Sequence, residues 1–242
     1  MISTSFLPST LWTAITGFGG VAVTVSVALA VAAWLAAGMR LRAAFEWLLL
    51  LGAAAGLTLL TKLAFLGWGL GIRPLDFTGI SGHAVLSTTV FPVMFSVILL
   101  GAPAWVRRTG FVAGLAVGLM IGASRVAVKA HSMSEIVIGC AIGAAVACIF
   151  VSRLESRDAS MSASGPADST TPHPILVSLS LIALIAALHG LHLPTQRWVT
   201  SLALDLSGHE RPFIRARWHR DGRVTPKLVD NLSSARPVVP DS

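Results

Sequence analysis

Charge is what this chain has least of. Charged residues make up 12% of it and hydrophobic ones 54%, whereas a soluble domain is about 25% charged. That shortage excludes an ordinary soluble globule and points to an all-α, polytopic membrane protein. Cysteine is nearly absent as well. Cys140 and Cys148 fall in one apolar stretch, eight residues apart, which on a helix is about 12 Å of rise and too far for a disulfide. They read as small packing residues and are silent on redox compartment. No Cys/His cluster has zinc-site spacing, and no nucleic-acid motif accompanies the basic residues. The leading segment MISTSFLPST lacks positive charge. The apolar run after it is too long for a signal peptide, so the first span is expected to be retained.

What the chain has in abundance is long apolar runs. A membrane helix needs about 20 mostly apolar residues, and six spans are expected, over 12–38, 44–66, 84–103, 109–124, 136–152 and 174–193. The fourth carries Gly110, Gly114, Gly118 and Gly122, a spacing that permits close helix contact in a bundle. Arg40 and Arg42, Arg107 and Arg108, and Arg153 and Arg157 mark three loops on one side, which the positive-inside rule makes cytoplasmic. In a bacterial inner membrane the opposite, periplasmic side would then carry both termini and the loops 67–83 and 125–135.

Residues 1–193 form the expected six-span domain, with a mobile Ser/Ala/Pro-rich linker over 154–173. Residues 194–242 form a basic tail. Residues 191–242 hold eight of the 18 Lys+Arg and five of the 11 Asp+Glu. Two readings of the tail stand side by side. One is an interfacial segment using Trp198, Leu202 and Leu206 and meeting anionic headgroups; the other is a loosely ordered basic tail. Ser207-Gly208-His209 reads as a chance repeat of a tripeptide found earlier in the chain.

The candidate site residues sort to the non-cytoplasmic side. Ionisable groups at membrane depth are costly and are functional candidates by default. Ser81-Gly82-His83 opens the third span; a serine cap and a glycine at a helix N-terminus suit an anion, and His83 could move a proton near neutral pH. The bland reading is a plain helix cap beside an interfacial histidine. Arg125 closes the fourth span, with planar donors suited to phosphate oxygens. His131 follows it, and Glu135 lies one helical turn beyond. The carboxylate could hold one imidazole nitrogen and free the other as nucleophile, or serve only the capping box Ser132-Met133-Ser134-Glu135, or do both. Lys62, in the last turn of the second span, either snorkels to the interface or adds a cation for a phosphate. Arg73, before Pro74, is a second phosphate ligand or a solvated loop charge that Asp76 could pair. Lys129 reads as a solvated loop residue.

Together these residues resemble the type 2 phosphatidic acid phosphatase superfamily of integral membrane enzymes. Its three motifs are K-x6-R-P, P-S-G-H and S-R-x5-H-x3-D. Here the third is Ser124-Arg125-VAVKA-His131-SMS-Glu135, with glutamate in place of aspartate. The second is Ile80-Ser81-Gly82-His83, with isoleucine in place of proline. The first is Lys62 and Arg73-Pro74, with ten residues between lysine and arginine where six are usual. The resemblance spans about 44–152 and implies a four-helix catalytic core needing no metal or other cofactor. It implies that His131 is the nucleophile and forms a phosphohistidine, that Glu135 orients it, and that His83 is the general acid and base. Lys62, Arg73, Ser81, Gly82 and Arg125 are implied to bind the phosphoryl group of a lipid. The expected activity is hydrolysis of a lipid phosphomonoester or pyrophosphate, such as polyprenyl pyrophosphate, phosphatidylglycerol phosphate or phosphatidic acid. A lipid phosphotransferase with the same site, and a catalytically degenerate lipid-binding or transport protein, are the alternatives.

Overall fold

In the computed structural model, which describes residues 8–163, 174–191 and 193–215, the chain is helical throughout and forms no strand among those residues. Eight helices follow in order: α1 (Ser9–Phe18), α2 (Val21–Ala37), α3 (Leu41–Trp68), α4 (Gly82–Ile98), α5 (Ala104–Ala127), α6 (Met133–Ala163), α7 (Pro174–Leu188) and α8 (Thr195–Ser207). Four segments are long and apolar enough to cross a membrane: Ser9–Ala37, Leu41–Trp68, Ala104–Ala127 and Met133–Asp158. The chain is a membrane protein.

Each of the six expected spans has a helix, but two fall short of a full crossing. α4 has 17 residues and α7 has 15, so α4 rises only about 26 Å against a hydrocarbon core of about 30 Å. For α4 the reason is visible in the packing. α4 touches α2, α3, α5, α6 and α7 and is buried nearly all round. A helix wrapped in protein can end below the membrane surface, because its loop is then sheltered from lipid. The first span is also interrupted, at Gly19-Gly20 between α1 and α2.

α4 is the axis of the bundle, and its neighbours reach it through glycine. A Cβ on Gly114 would stand 2.7 Å from the Phe91 carbonyl carbon, and one on Gly118 would stand 2.7 Å from Thr88 Cα. Gly110 faces Leu99, and Gly122 faces Cys140 and Ile136. The glycine row of α5 therefore brings two backbones into contact, as its spacing suggests. α6 approaches from another side through Gly139 and Gly143, which face Ser81, Val85 and Thr88. The hydroxyls of α4 cause no penalty in this apolar setting. Ser87, Thr88, Thr89 and Ser96 each donate to a carbonyl one turn back. Cys140 is buried, Cys148 is exposed, and both are free thiols.

The arginine loops meet at one end of the bundle. Arg40 pairs with Asp158 at 2.7 Å and Arg107 with Glu155 at 3.0 Å. Arg153 and Arg157 both reach Glu46, at 2.5 and 2.6 Å. These pairs need α6 to run on beyond the expected end of the fifth span at 152, and it does. The stretch 154–163, expected to begin a linker, is the last part of that helix; 164–173 lie outside the described residues. The tail is likewise more ordered than a loose basic segment. α8 packs against α3, with Ala203 and Ser207 over Gly67. Trp198, Leu202 and Leu206 remain exposed. His173, His192, His219 and the tail beyond 215 lie outside the described residues.

Candidate functional site

The site lies at the end of the bundle opposite the arginine pairs and is built on helix termini. α6 begins just after His131, and its first turn is closed by a reciprocal cap. The Ser132 amide donates to Glu135 Oε2 at 3.3 Å, and the Glu135 amide donates to Ser132 Oγ at 3.5 Å. The same Oε2 accepts from His131 Nδ1 at 2.7 Å. The cap and the contact with His131 thus coexist. With Nδ1–H committed to the carboxylate, Nε2 keeps its lone pair.

Glu135 is fully buried, and its second oxygen is as heavily engaged. Oε1 accepts from the Thr78 amide at 2.7 Å, from Thr78 Oγ1 at 2.6 Å and from an Arg215 Nη at 2.6 Å. His131 is itself largely shielded. Burial pushes its imidazole below the ordinary value of 6.5; the hydrogen bond and charge of Glu135 act against this, and the positive charges of Lys62 and Arg125 add to it. The net direction is toward a neutral ring, the form that can act as a nucleophile.

Lys62 comes from the last turns of α3. The 69–81 loop runs along its stem at Gly79, whose φ of +150° and close approach both require glycine: a Cβ there would stand 3.3 Å from Lys62 Cγ. Thr61 Oγ1 accepts from the Ile80 amide at 3.1 Å, pinning the loop to α3 just before Ser81. Arg125, in the last turn of α5, donates to Thr16 Oγ1 of α1 at 3.0 Å, while its Nε is buried without a hydrogen-bond partner among the described residues. Neither Lys62 nor Arg125 has a carboxylate within ion-pair distance among the described residues.

Ser81 occupies the cap position of α4, but its hydroxyl makes no cap bond. The serine is fully buried and its Oγ has no partner among the described residues, so the capping role expected for it is not taken up. Its amide donates to the Glu135 carbonyl at 3.4 Å, which sets the first turns of α4 and α6 side by side. Gly82 begins α4. His83 borders the α1–α2 break, where a Cβ on Gly19 would meet its ring at 3.2 Å. Arg73 lies in a single 3-10 turn, Arg73–Leu75, of the same loop. Ser134 ties that turn to α6 by donating to the Leu75 carbonyl at 2.6 Å.

Three participants carried no signal in the sequence reading. Thr78 and Thr16 are ordinary threonines until the fold brings them to Glu135 and Arg125. Arg215 comes from the tail. The path to it is fixed by His209 Nδ1 at 2.8 Å from the Gly67 carbonyl, and by the Phe213 amide donating to the Leu66 carbonyl at 3.0 Å. Phe213 is buried against Phe65 and Leu66. The histidine of the repeated tripeptide is therefore a tether for the tail.

Comparison with known proteins adds one relative. The chain is 32% identical over 185 residues to an uncharacterized 22.5 kDa protein in the cps region of Klebsiella pneumoniae, an alignment covering 73% of this chain and 82% of that protein. The chain belongs to the same family as that protein. No family model and no solved structure matches it.

Proposed function

We propose that this member of the Klebsiella protein's family is an integral membrane lipid phosphatase of the type 2 phosphatidic acid phosphatase kind. It would hydrolyse a lipid phosphomonoester or pyrophosphate through a phosphohistidine. The observation that carries the reading is the His131–Glu135 pair at 2.7 Å, buried at a helix end that also gathers Lys62 and Arg125. A neutral imidazole held by one nitrogen beside cations with no carboxylate of their own suits attack on a phosphate. The buried, unpartnered Ser81 Oγ and Arg125 Nε are the kind of polar atom that phosphoryl oxygens satisfy.

The chemistry balances as two displacements. His131 Nε2 donates its lone pair to phosphorus as the P–O bond to the lipid breaks, and His83 gives its proton to the leaving oxygen. Water then attacks phosphorus, the N–P bond breaks, and His83 recovers a proton from the water. Lys62, Arg125, the 82–83 backbone and Arg73 hold the phosphoryl oxygens and stabilise the charge that spreads over them. The positive-inside rule puts the arginine end in the cytoplasm, so the site faces the periplasmic side of an inner membrane.

Phosphate release by the purified protein from phosphatidic acid, phosphatidylglycerol phosphate and a polyprenyl pyrophosphate tests the reading. Turnover that survives EDTA and is abolished by His131→Ala supports it. Turnover retained by that variant, or dependent on added magnesium, contradicts it. Transfer of the phosphoryl group to an added acceptor in preference to water would indicate the phosphotransferase, and binding without turnover a lipid-binding protein.

A further inference from the structure

Glu135 is one methylene longer than the aspartate the motif usually carries, and its carboxylate is held on both oxygens. The hydrogen bonds from Ser132 and Thr78 fix where it sits but bring no charge. The full positive charge in contact with it comes from Arg215, which lies outside the four-helix core. One Arg215 Nη donates to Glu135 Oε1 at 2.6 Å and to Thr78 Oγ1 at 3.0 Å, and Nε stands 3.4 Å from Asp76 Oδ1. The guanidinium therefore bridges the loop before α4 and the carboxylate that holds His131. Its position is built in: the chain from α8 to Arg215 is anchored on the end of α3 by His209 and by buried Phe213.

Resting on the proposed phosphatase reading, we infer that Arg215 is a positioning residue. The tail swings back over the end of α3 to clamp Glu135, and through it His131, in the geometry for attack. Arg215 does not touch the reacting phosphorus; it acts through the carboxylate. A buried carboxylate without a counterion either shifts or takes up a proton, and either change releases His131 Nδ1. Sub-ångström placement matters in such a site. The groups around the His131–Glu135 pair are Thr78 in the loop and Arg215 on the tail against Glu135, Asp76 against Arg215, and Lys62 on α3 and Arg125 on α5 near the imidazole.

The test uses the full chain in lipid nanodiscs and whichever of the three lipid phosphates the wild type turns over fastest. Arg215→Ala is expected to lower kcat on the order of tenfold to a hundredfold with KM little changed. Removing the cation favours protonation of the pair, so the acid limb of the kcat profile should move to higher pH. Arg215→Lys should recover part of the rate, and added guanidinium should rescue the alanine variant. Arg215→Gln, closer in length, is made alongside in case the alanine variant misfolds. A wild-type rate and pH profile in a folded Arg215→Ala or Arg215→Gln variant would overturn the inference while leaving the phosphatase reading intact. If the wild type releases no phosphate from any of the three lipids, that reading falls, and clamping is judged by NMR instead. The hydrogen-bonded Nδ1 proton of His131, assigned by its loss in His131→Ala, should be present in the wild type and lost in Arg215→Ala. An unchanged signal would overturn the clamp.

Discussion

The two ends of the bundle use positive charge in opposite ways. At one end Arg40, Arg107, Arg153 and Arg157 are all paired, sharing Asp158, Glu155 and Glu46 within 3.0 Å. These pairs tie the α2–α3 loop to α6, α5 to α6, and α6 to α3, so their charge goes into holding helices together. At the other end Lys62 and Arg125 have no carboxylate within ion-pair distance among the described residues, and the buried carboxylate there is taken by His131 and Arg215. Cations left without anions at membrane depth are expensive, and the proposed phosphoryl substrate would supply the missing negative charge. Counting arginines per loop gives the orientation; the pairing of Arg40, Arg107, Arg153 and Arg157 marks them as part of the scaffold.

The comparison can be broken most sharply at the site end. Arg125→Ala should lower kcat on the order of a hundredfold to a thousandfold, the range for removing one donor to a developing oxyanion. Its melting temperature should fall only slightly, because no ion pair is lost and one hydrogen bond, to Thr16, is given up. A large fall in melting temperature with kcat intact would place Arg125 with the structural arginines. Between the two ends lies the glycine seam. Gly118→Val would drive a side chain into the backbone of α4 and should destabilise the fold by about 1–3 kcal/mol, the usual cost of overpacking. Chemical denaturation in detergent measures it. At the arginine end Glu46→Gln removes the partner of two arginines. It should lower stability by no more than about 1 kcal/mol per pair and leave kcat unchanged; a loss of turnover would show that the ends are not independent.

The acid side of the pH profile sharpens the comparison further. In the proposed mechanism His131 attacks as the neutral ring, and burial pushes its imidazole below the ordinary value of 6.5. Protonation as pH falls removes the nucleophile, so the acid limb of kcat/KM should have its midpoint below 6.5. An acid limb centred above 6.5 would mean that the negative charge of Glu135 outweighs burial at His131.

Features that depend on local spacing were legible in the sequence. The glycine row of α5, the capping box at Ser132–Glu135 and the one-turn separation of His131 from Glu135 follow from helical periodicity, and each contact forms as that periodicity suggests. The arginine loops gather at one end as their distribution along the chain suggests. The contacts that escaped are those between distant segments. Thr78 and Glu135 are 57 residues apart, Thr16 and Arg125 are 109 apart, and Arg215 and Glu135 are 80 apart. No local pattern marks a threonine or a tail arginine for such a role. α4 is shorter than its apolar run suggests, because a helix buried in protein is apolar for packing reasons and need not match the bilayer. The helical stretch 154–163 was hidden by its Ser-rich composition, which alone favours a linker, while its ion pairs with α3 and α5 supply the order.

Trapping the covalent intermediate tests the account most directly. The wild-type protein is mixed with a lipid phosphate carrying a labelled phosphoryl group, quenched in alkali within a single turnover, and mapped by peptide sequencing. An acid-labile, alkali-stable label on His131, absent from His131→Ala and longer-lived in His83→Ala, is the predicted result. Turnover with no label on the protein, or with the label on another residue, would contradict it.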